Sequence, residues 1–124
     1  VNLREELASL RNQTDTGKIS TLHETVGTIT TGTIDLATGN VFADAPAANA
    51  TYVFSNPAAS GIANGFTLKI TPSATVTITW PASVDWAAAT APDAPASGAT
   101  NVYTFYTTDG GTTYYGFLAG GAMG

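Results

Sequence analysis

The sequence predicts a mostly β protein, an antiparallel β-sandwich or jelly-roll-like domain preceded by a short helical segment. Its 124 residues include 13 glycines, many threonines and 10% aromatic residues, a composition typical of strands joined by tight turns. From Thr28 onward, apolar and polar residues alternate along short segments, which is the period of a half-buried strand. Before Gly27 the charged residues are concentrated and the apolar residues follow a helical spacing.

The first segment, residues 1–27, is predicted to be a helical stalk or anchor resembling a coiled coil. Apolar residues recur at steps of three and four, the spacing of a coiled-coil seam. A helix this short is marginal on its own, so the stripe favours association of copies, three rather than two. The alternative is one amphipathic helix that folds back on its own β-domain. The residues predicted to hold the copies together are Leu3, Leu7, Leu10, Ile19, Leu22 and Val26.

Residues 28–124 are predicted to form one β-domain of seven or eight short strands. A first hairpin is expected over residues 32–42, with a turn at Thr38-Gly39-Asn40. Residues 51–55 read as a further short strand. The apolar residues of 65–71 and 74–80 alternate with threonine and lysine, so these two segments are predicted to pair as a second hairpin through the turn Thr71–Ala74.

A third hairpin is predicted near the end of the sequence. Residues 101–108 and 112–119 are rich in aromatic residues and threonine, which favour strands. Asp109-Gly110-Gly111 lies between them, and its glycines permit the positive φ that a tight hairpin requires. The preceding stretch, residues 87–100, consists mostly of alanine, proline and other small residues and is predicted to be a loop.

The composition excludes several kinds of chemistry. The chain has no cysteine and a single histidine, His23, so thiolate metal sites and a Ser-His-Asp triad are ruled out. Its aspartates after residue 28 are scattered, without a close pair or a calcium-loop spacing. We therefore predict no enzymatic activity, no cofactor and no metal site. A net charge of −5 disfavours nucleic acid, and no apolar run approaches the ~20 residues of a membrane span.

Aromatic residues crowd the final third of the chain, from Trp80 to Phe117. Adjacent aromatic residues of a strand point to opposite faces, so the rings cannot all share one core. A subunit interface, which is typically enriched in tyrosine and tryptophan, is favoured for most of them over a sugar-binding face. Any receptor contact is predicted on loops and on the terminal hairpin, chiefly around Asp93 to Thr100 and Asp109 to Tyr115, because a rigid scaffold presents binding residues on its loops. The candidate contact residues of the hairpin are Asp109, Tyr114 and Tyr115.

Several motifs occur in an order that resembles a family of phage proteins. The chain contains ITWPASVDWAAATAP (78–92) followed by VYTFYTTDGGTTYYGFLAG (102–120), and earlier TGTIDLATGNVF (31–42) and TYVFSNPAASG (51–61). This order resembles a C-terminal domain found in tail fibres and other structural proteins of tailed bacteriophages. The chain differs from that pattern at Tyr114, where the family often has tryptophan, and in its AAAT loop, where the family is glycine-rich.

The resemblance implies a β-rich, homotrimeric virion component without catalytic residues. We expect a phage structural protein of the virion, a trimeric fibre or spike that contacts other virion proteins and, at its tip, a host surface glycan. The alternatives are a capsid-decorating head fibre or cement protein and a carbohydrate-binding module. Val1 fits either a small decorating spike that has lost its initiator methionine or the tip of a longer fibre.

Overall fold

A computed structural model of the chain describes residues 23–124. This part is mostly β, with 43% of its residues in strands and 3% in helix. No helix within it has the length and hydropathy that crossing a membrane requires. The 3₁₀ turn spans Ala87–Ala89. The strands are β1 (Ile29–Thr30), β2 (Thr33–Asp35), β3 (Val41–Asp44), β4 (Ala50–Thr51), β5 (Val53–Ser55), β6 (Asn64–Ile70), β7 (Ile78–Thr79), β8 (Val84–Asp85), β9 (Thr100–Thr107) and β10 (Tyr114–Met123).

The strands form three sheets, and parallel and antiparallel pairs are mixed. The largest sheet has the order β3-β6-β9-β10-β8, the second β1-β2-β5 and the third β4-β7. The pairs β1–β2, β6–β9 and β9–β10 are antiparallel. The pairs β2–β5, β3–β6, β4–β7 and β8–β10 are parallel. The mostly β class is therefore confirmed, whereas the expectation of purely antiparallel sheets is wrong.

The predicted second hairpin does not form, because residues 71–74 bend at Ser73 and Ala74 without folding β7 back onto β6. Two long segments lie side by side in parallel, from the pair Val41 and Thr67 to the pair Thr51 and Thr79. Between these strands, the amide of Ser73 donates to the carbonyl of Pro46 at 3.0 Å. Residues 71–74 thus continue β6 alongside the first segment, and β6 and β7 enter different sheets.

The predicted first hairpin is also wrong, and the turn lies earlier than predicted, at Asp35–Thr38 rather than at Thr38-Gly39-Asn40. The amide of Thr38 donates to the carbonyl of Asp35 at 3.1 Å, and the Asp35 carboxylate accepts from the amide of Ala37 at 3.0 Å. The same carboxylate oxygen accepts from the side chain of Asn56 at 2.9 Å. This turn carries the chain from β2 in the three-stranded sheet to β3 in the five-stranded sheet. The strand predicted over 51–55 is divided at Tyr52 into the end of β4 and β5.

Two predictions from local pattern are confirmed. Phe66, Leu68 and Ile70 of β6 are buried, as their alternation with polar residues indicates. The terminal hairpin forms from β9 and β10, with Tyr115 opposite Tyr106. Its glycines Gly110 and Gly111 have φ of 72° and 86°. Residues with a Cβ rarely adopt this backbone conformation.

An aromatic core joins the sheets. The ring of Phe54, from β5 of the three-stranded sheet, lies 5.0 Å from that of Phe66, 5.1 Å from that of Phe105 and 4.9 Å from that of Tyr114. Phe66 and Phe105 are themselves stacked at 5.0 Å. Edge-to-face and stacked contacts of this kind stabilise the fold beyond the contribution of the buried apolar area. The side chain of Phe54 therefore ties the smaller sheet to the larger one.

The predicted helical segment is not found where the structure describes it. Residues 23–27 contain no helix. Val26, expected in the helical stripe, is exposed and forms an isolated parallel bridge with Val41, next to a 2.8 Å hydrogen bond from the amide of Gly27 to the carbonyl of Val41. This pairing gives the backbone an extended conformation. The other residues of the stripe, Leu3, Leu7, Leu10, Ile19 and Leu22, lie outside the described residues.

Candidate functional site

Most aromatic residues of the final third lie in or against the core of their own chain. Tyr103, Phe105 and Tyr114 are buried, and Trp80 and Trp86 pack against them. The expectation that most of these rings meet another subunit is therefore wrong. The rings left at the surface belong to Tyr106, Tyr115 and Phe117, which we call the aromatic strip.

The aromatic strip lies on the exposed face of the β9–β10 hairpin. The rings of Tyr106 and Tyr115, which are directly opposite in register, have centroids 5.2 Å apart. The rings of Tyr106 and Phe117 are nearly parallel, at 7°, with centroids 6.3 Å apart. Tyr115 is 42% exposed and Phe117 is 52% exposed. The strip thus presents a row of aromatic rings to solvent.

One end of the strip forms a groove of about 450 Å³. One wall comes from β8 and the 3₁₀ turn that follows it, and the other comes from β10. The parallel pair β8–β10, with Tyr115 beside Asp85, brings these distant parts of the sequence together. We call this cavity the Trp86 groove. It is lined by Asp85, Trp86, Ala87, Ala89, Tyr115, Gly116 and Phe117.

Gly116 allows the Trp86 ring to lie against β10. A Cβ at this position would lie 2.8 Å from Cγ1 of Val84 and 2.9 Å from Cζ3 of Trp86, closer than such atoms approach. On its other sides, the Trp86 ring contacts the rings of Trp80 at 5.3 Å and Phe105 at 5.6 Å. The position of Trp86 in the groove is therefore fixed by the core.

The wall after Trp86 has an unusual backbone. Ala88 and Ala89 have φ of 54° and 53°, in the left-handed region that costs a residue with a Cβ about 1–2 kcal/mol. Hydrogen bonds hold this conformation: the amide of Ala89 donates to the carbonyl of Trp86 at 3.0 Å, and the amide of Thr90 to that of Ala87 at 3.2 Å. Strain of this kind is concentrated at ligand sites in many proteins.

Asp109, a predicted contact residue, braces the hairpin turn. One oxygen of its carboxylate accepts from the hydroxyl of Thr107 at 2.9 Å and from the amide of Thr113 at 3.0 Å. The hydroxyl of the buried Thr107 accepts in turn from the amide of Gly111 at 3.1 Å. The hydrogen bond from the Thr113 amide is the largest cause that lowers the pKa of Asp109. Its carboxylate is thus engaged within its own turn.

The two adjacent tyrosines have different surroundings. Tyr114 is 2% exposed, with its ring 4.9 Å from that of Phe54. Burial raises its pKa, as does the negative charge of Asp109. The ring of Tyr114 is therefore not available to a receptor. Tyr115 points outward and lines the Trp86 groove.

The groove residues that sequence reasoning missed come from the other wall. Alternation along β10 places Tyr115 and Phe117 on one face, so Phe117 could have been found from its neighbour. Asp85 and Trp86 could not, because they reach the groove through a parallel pairing about 30 residues away in sequence, a connection that local pattern does not show.

A second cavity, of about 480 Å³, lies at the loop between β3 and β4. Small side chains and backbone form most of its lining, and Asp44 is its charged residue. One oxygen of this carboxylate accepts from the hydroxyl of Tyr52 at 2.7 Å and the other from the amide of Ala45 at 2.9 Å. Because both oxygens of Asp44 are already hydrogen-bonded, this cavity offers less to a ligand than the Trp86 groove.

No three histidine, aspartate or glutamate side chains within residues 23–124 lie close enough together to hold a metal ion. No family model matches the chain, and no curated protein or solved structure matches it either.

Proposed function

We propose that the chain is a structural component of a bacteriophage virion, the trimeric β-domain of a fibre or spike. The order of motifs from Thr31 to Gly120 supports this role, as does the low content of charged residues, 10%. The role requires no catalysis. The structural observation that supports it best is a long strand edge without a partner.

That edge belongs to β10. The short strand β8 pairs with it only at Tyr114 and Tyr115, and beyond them no strand of residues 23–124 pairs with its outer side. We call residues 118–123 the β10 edge. It contains no charged residue and no proline, and Leu118 and Met123 on it are 43% and 50% exposed. Register shifts between Leu118 and Gly120 and between Gly120 and Met123 make the edge irregular, but an edge without charge or proline is still open to pairing with another chain.

A second copy of the chain is the partner that we propose for the β10 edge. Each chain carries a net charge of −5, so copies repel each other as they approach. The uncharged β10 edge is a place where two copies can approach without that cost. In the trimer, each copy would cover the exposed backbone and apolar side chains of its neighbour.

Within each copy, we propose that the three-stranded and five-stranded sheets pack as the two layers of a sandwich. Phe54 supports this arrangement, because its ring contacts Phe66, Phe105 and Tyr114 of the larger sheet. Packing between sheets through side chains of both inner faces is the defining feature of that architecture.

Light scattering of the purified full chain tests the oligomeric state. We expect a particle three times the 12.6 kDa mass of the chain, and dissociation in Leu118→Lys, since a lysine there places a charge in the proposed contact. Ile62→Lys is the matched control, because Ile62 is also exposed but lies in the loop before β6. A monomeric wild-type chain at micromolar concentration contradicts the trimer.

A second variant tests the predicted stalk. Leu7→Asp places a charge in the apolar stripe of residues 1–27, and we expect it to weaken association. Asn12→Asp adds the same charge outside the stripe and serves as its control. If Leu118→Lys dissociates the particle and Leu7→Asp does not, the β-domain alone holds the trimer together.

Labelling of purified phage particles with antibodies against the chain tests the virion role. Label at the tail supports a fibre, and label over the head supports the alternative of a capsid-decorating protein. Particles that carry no label contradict the proposal and leave a free carbohydrate-binding module as the remaining candidate.

A further inference from the structure

We propose that the Trp86 groove binds a neutral saccharide. Tyr115 and Phe117 would pack against the C–H faces of sugar rings, the edge of the Trp86 ring would line the floor of the site, and Asp85 would accept hydrogen bonds from sugar hydroxyls. This inference does not depend on the virion role, because it concerns a surface of the single chain.

The size of the groove suits a small ligand. Its volume of about 450 Å³ lies within the ~300–1,000 Å³ typical of ligand pockets. Its walls come from two separate segments, β8 with the turn Ala87–Ala89 and the strand β10. A ligand seated there contacts both segments at once, so the groove can recognise shape as well as composition.

The side chains in the groove combine aromatic faces with one hydrogen-bond acceptor. The face of an aromatic ring carries negative charge density, which attracts the weakly positive C–H groups on one side of a sugar. The Asp85 carboxylate is exposed, and a hydrogen bond from a hydroxyl to a carboxylate is stronger than one between neutral groups. Asp85 and the rings thus match the two kinds of group that a saccharide displays.

The negative charge of Asp85 favours a neutral ligand over an anionic one. Within residues 23–124, Lys69 is the sole lysine or arginine, and it does not line the groove. Asp85 therefore repels phosphates and acidic sugars, and no cation there offsets it.

The arrangement of the rings favours a saccharide over a small ammonium ion. Rings that bind a quaternary ammonium ion surround it as a cage. Phe117, which lines the groove, is nearly parallel to Tyr106 beside the groove, at 7°, so the exposed rings lie in a row on the sheet and do not surround a cage. A row of rings can follow successive units of a chain.

The groove is held in shape before any ligand arrives. Trp86 is fixed between Gly116 and the core rings, and the strained alanines Ala88 and Ala89 set the path of the same wall beyond it. A rigid site loses little conformational entropy on binding, which allows useful affinity from few contacts.

The test is a titration of the full chain with neutral gluco-, galacto- and manno-oligosaccharides, followed by tryptophan fluorescence and saturation-transfer NMR. We expect saturable binding of at least one of them, with an affinity that changes less than about twofold between low and high salt because the ligand is uncharged. Phe117→Ala should weaken binding about fivefold or more through loss of a stacking ring. Asp85→Asn should weaken it about threefold or more through loss of a charged acceptor.

Two control variants show whether a loss of saccharide affinity is specific to the groove. Ile62→Ala removes an exposed apolar side chain, and Asp93→Asn removes an exposed carboxylate, both outside the groove; neither should change the affinity. Both groove variants alter exposed side chains, so circular dichroism should show an intact fold.

Three results would overturn the proposal. The first is a folded chain that binds none of these oligosaccharides. The second is a chain that binds choline chloride in their place, which identifies a site for cations. The third is loss of self-association in Phe117→Ala or Asp85→Asn without any saccharide binding, which identifies the groove as a contact between copies. The mass of the wild-type particle is measured separately, so failure here leaves the virion proposal standing.

Discussion

The hydroxyl of Tyr52 donates a 2.7 Å hydrogen bond to Oδ2 of Asp44, which links the break between β4 and β5 to the end of β3. The ring of Tyr52 is buried and stacks on that of Trp80 at 5.5 Å. Burial is the main cause that raises the pKa of Tyr52, and the hydrogen bond to Asp44 and its negative charge add to it. Tyr52 thus anchors the point where the chain leaves one sheet for another.

Tyr52→Phe should lower the free energy of unfolding by about 1–2 kcal/mol, because it removes a hydrogen bond to a charged group and leaves the ring in place. Urea denaturation at pH 7 measures the change. Tyr106→Phe removes a hydroxyl from an exposed ring and should stay within about 0.5 kcal/mol of the wild type. Equal effects of the two variants would show that the bond to Asp44 contributes nothing.

The raised pKa of Tyr52 predicts that the free energy of unfolding falls in alkaline solution. The folded chain keeps Tyr52 protonated, because its pKa is raised, whereas the unfolded chain ionises it near pH ~10. The stability that Tyr52 contributes is therefore complete below about pH 10 and is lost progressively above it. Between pH 9 and pH 11 the wild type should lose more stability than Tyr52→Phe; parallel curves would contradict this.

Gly116→Ala should displace the Trp86 ring, because the new Cβ would lie 2.9 Å from it. Overpacking of this kind costs about 1–3 kcal/mol, and tryptophan fluorescence should change with it. Gly65→Ala is the control in the same sheet, since its Cβ would meet nothing closer than 3.7 Å. If Gly116→Ala has wild-type stability and fluorescence, the close packing of Trp86 on β10 is wrong.

Asn101→Ala should loosen the end of β10. The buried Asn101 accepts from the amide of Ala122 at 2.9 Å and donates to the hydroxyl of Tyr103 at 3.0 Å. Its loss leaves both groups unsatisfied, at a cost of about 1–3 kcal/mol, and hydrogen exchange at Ala122 should accelerate. Asn49→Ala removes an exposed amide that accepts from Thr77 and should leave Ala122 unaffected.

Asp109→Asn should reduce stability at pH 7 but not in acid. The pKa of Asp109 is lowered in the fold, chiefly by the amide of Thr113, so its contribution is present above the unfolded pKa of ~3.9 and disappears as the pH falls below it. Urea midpoints of the two proteins should therefore converge below about pH 4. Asp93→Asn, which changes the net charge equally, controls for charge, and a gap that persists in acid would contradict the role of ionised Asp109.

The sequence predicts those parts of the fold that depend on neighbouring residues. The alternation in β6 and the glycines between β9 and β10 are local signals, and both features were predicted. The pairing of Val41 with Thr67 depends instead on residues far apart in sequence. Thr71–Ala74 has the composition of a hairpin turn, yet the chain only bends there, and β7 does not pair with β6. One wall of the Trp86 groove cannot be predicted from the sequence for the same reason. Tyr115 is predicted as a contact residue, whereas Asp85 and Trp86 reach the groove through the β8–β10 pairing.

The position of β9 in the sheet order has a consequence for synthesis on the ribosome. β9 pairs with β6 on one side and β10 on the other, yet it is translated after β3, β6 and β8. Until β9 and β10 have both emerged, nothing in the sheet joins β6 to β8. The β9–β10 hairpin closes a short loop and can form quickly, so we expect it to be the late template on which the earlier strands assemble.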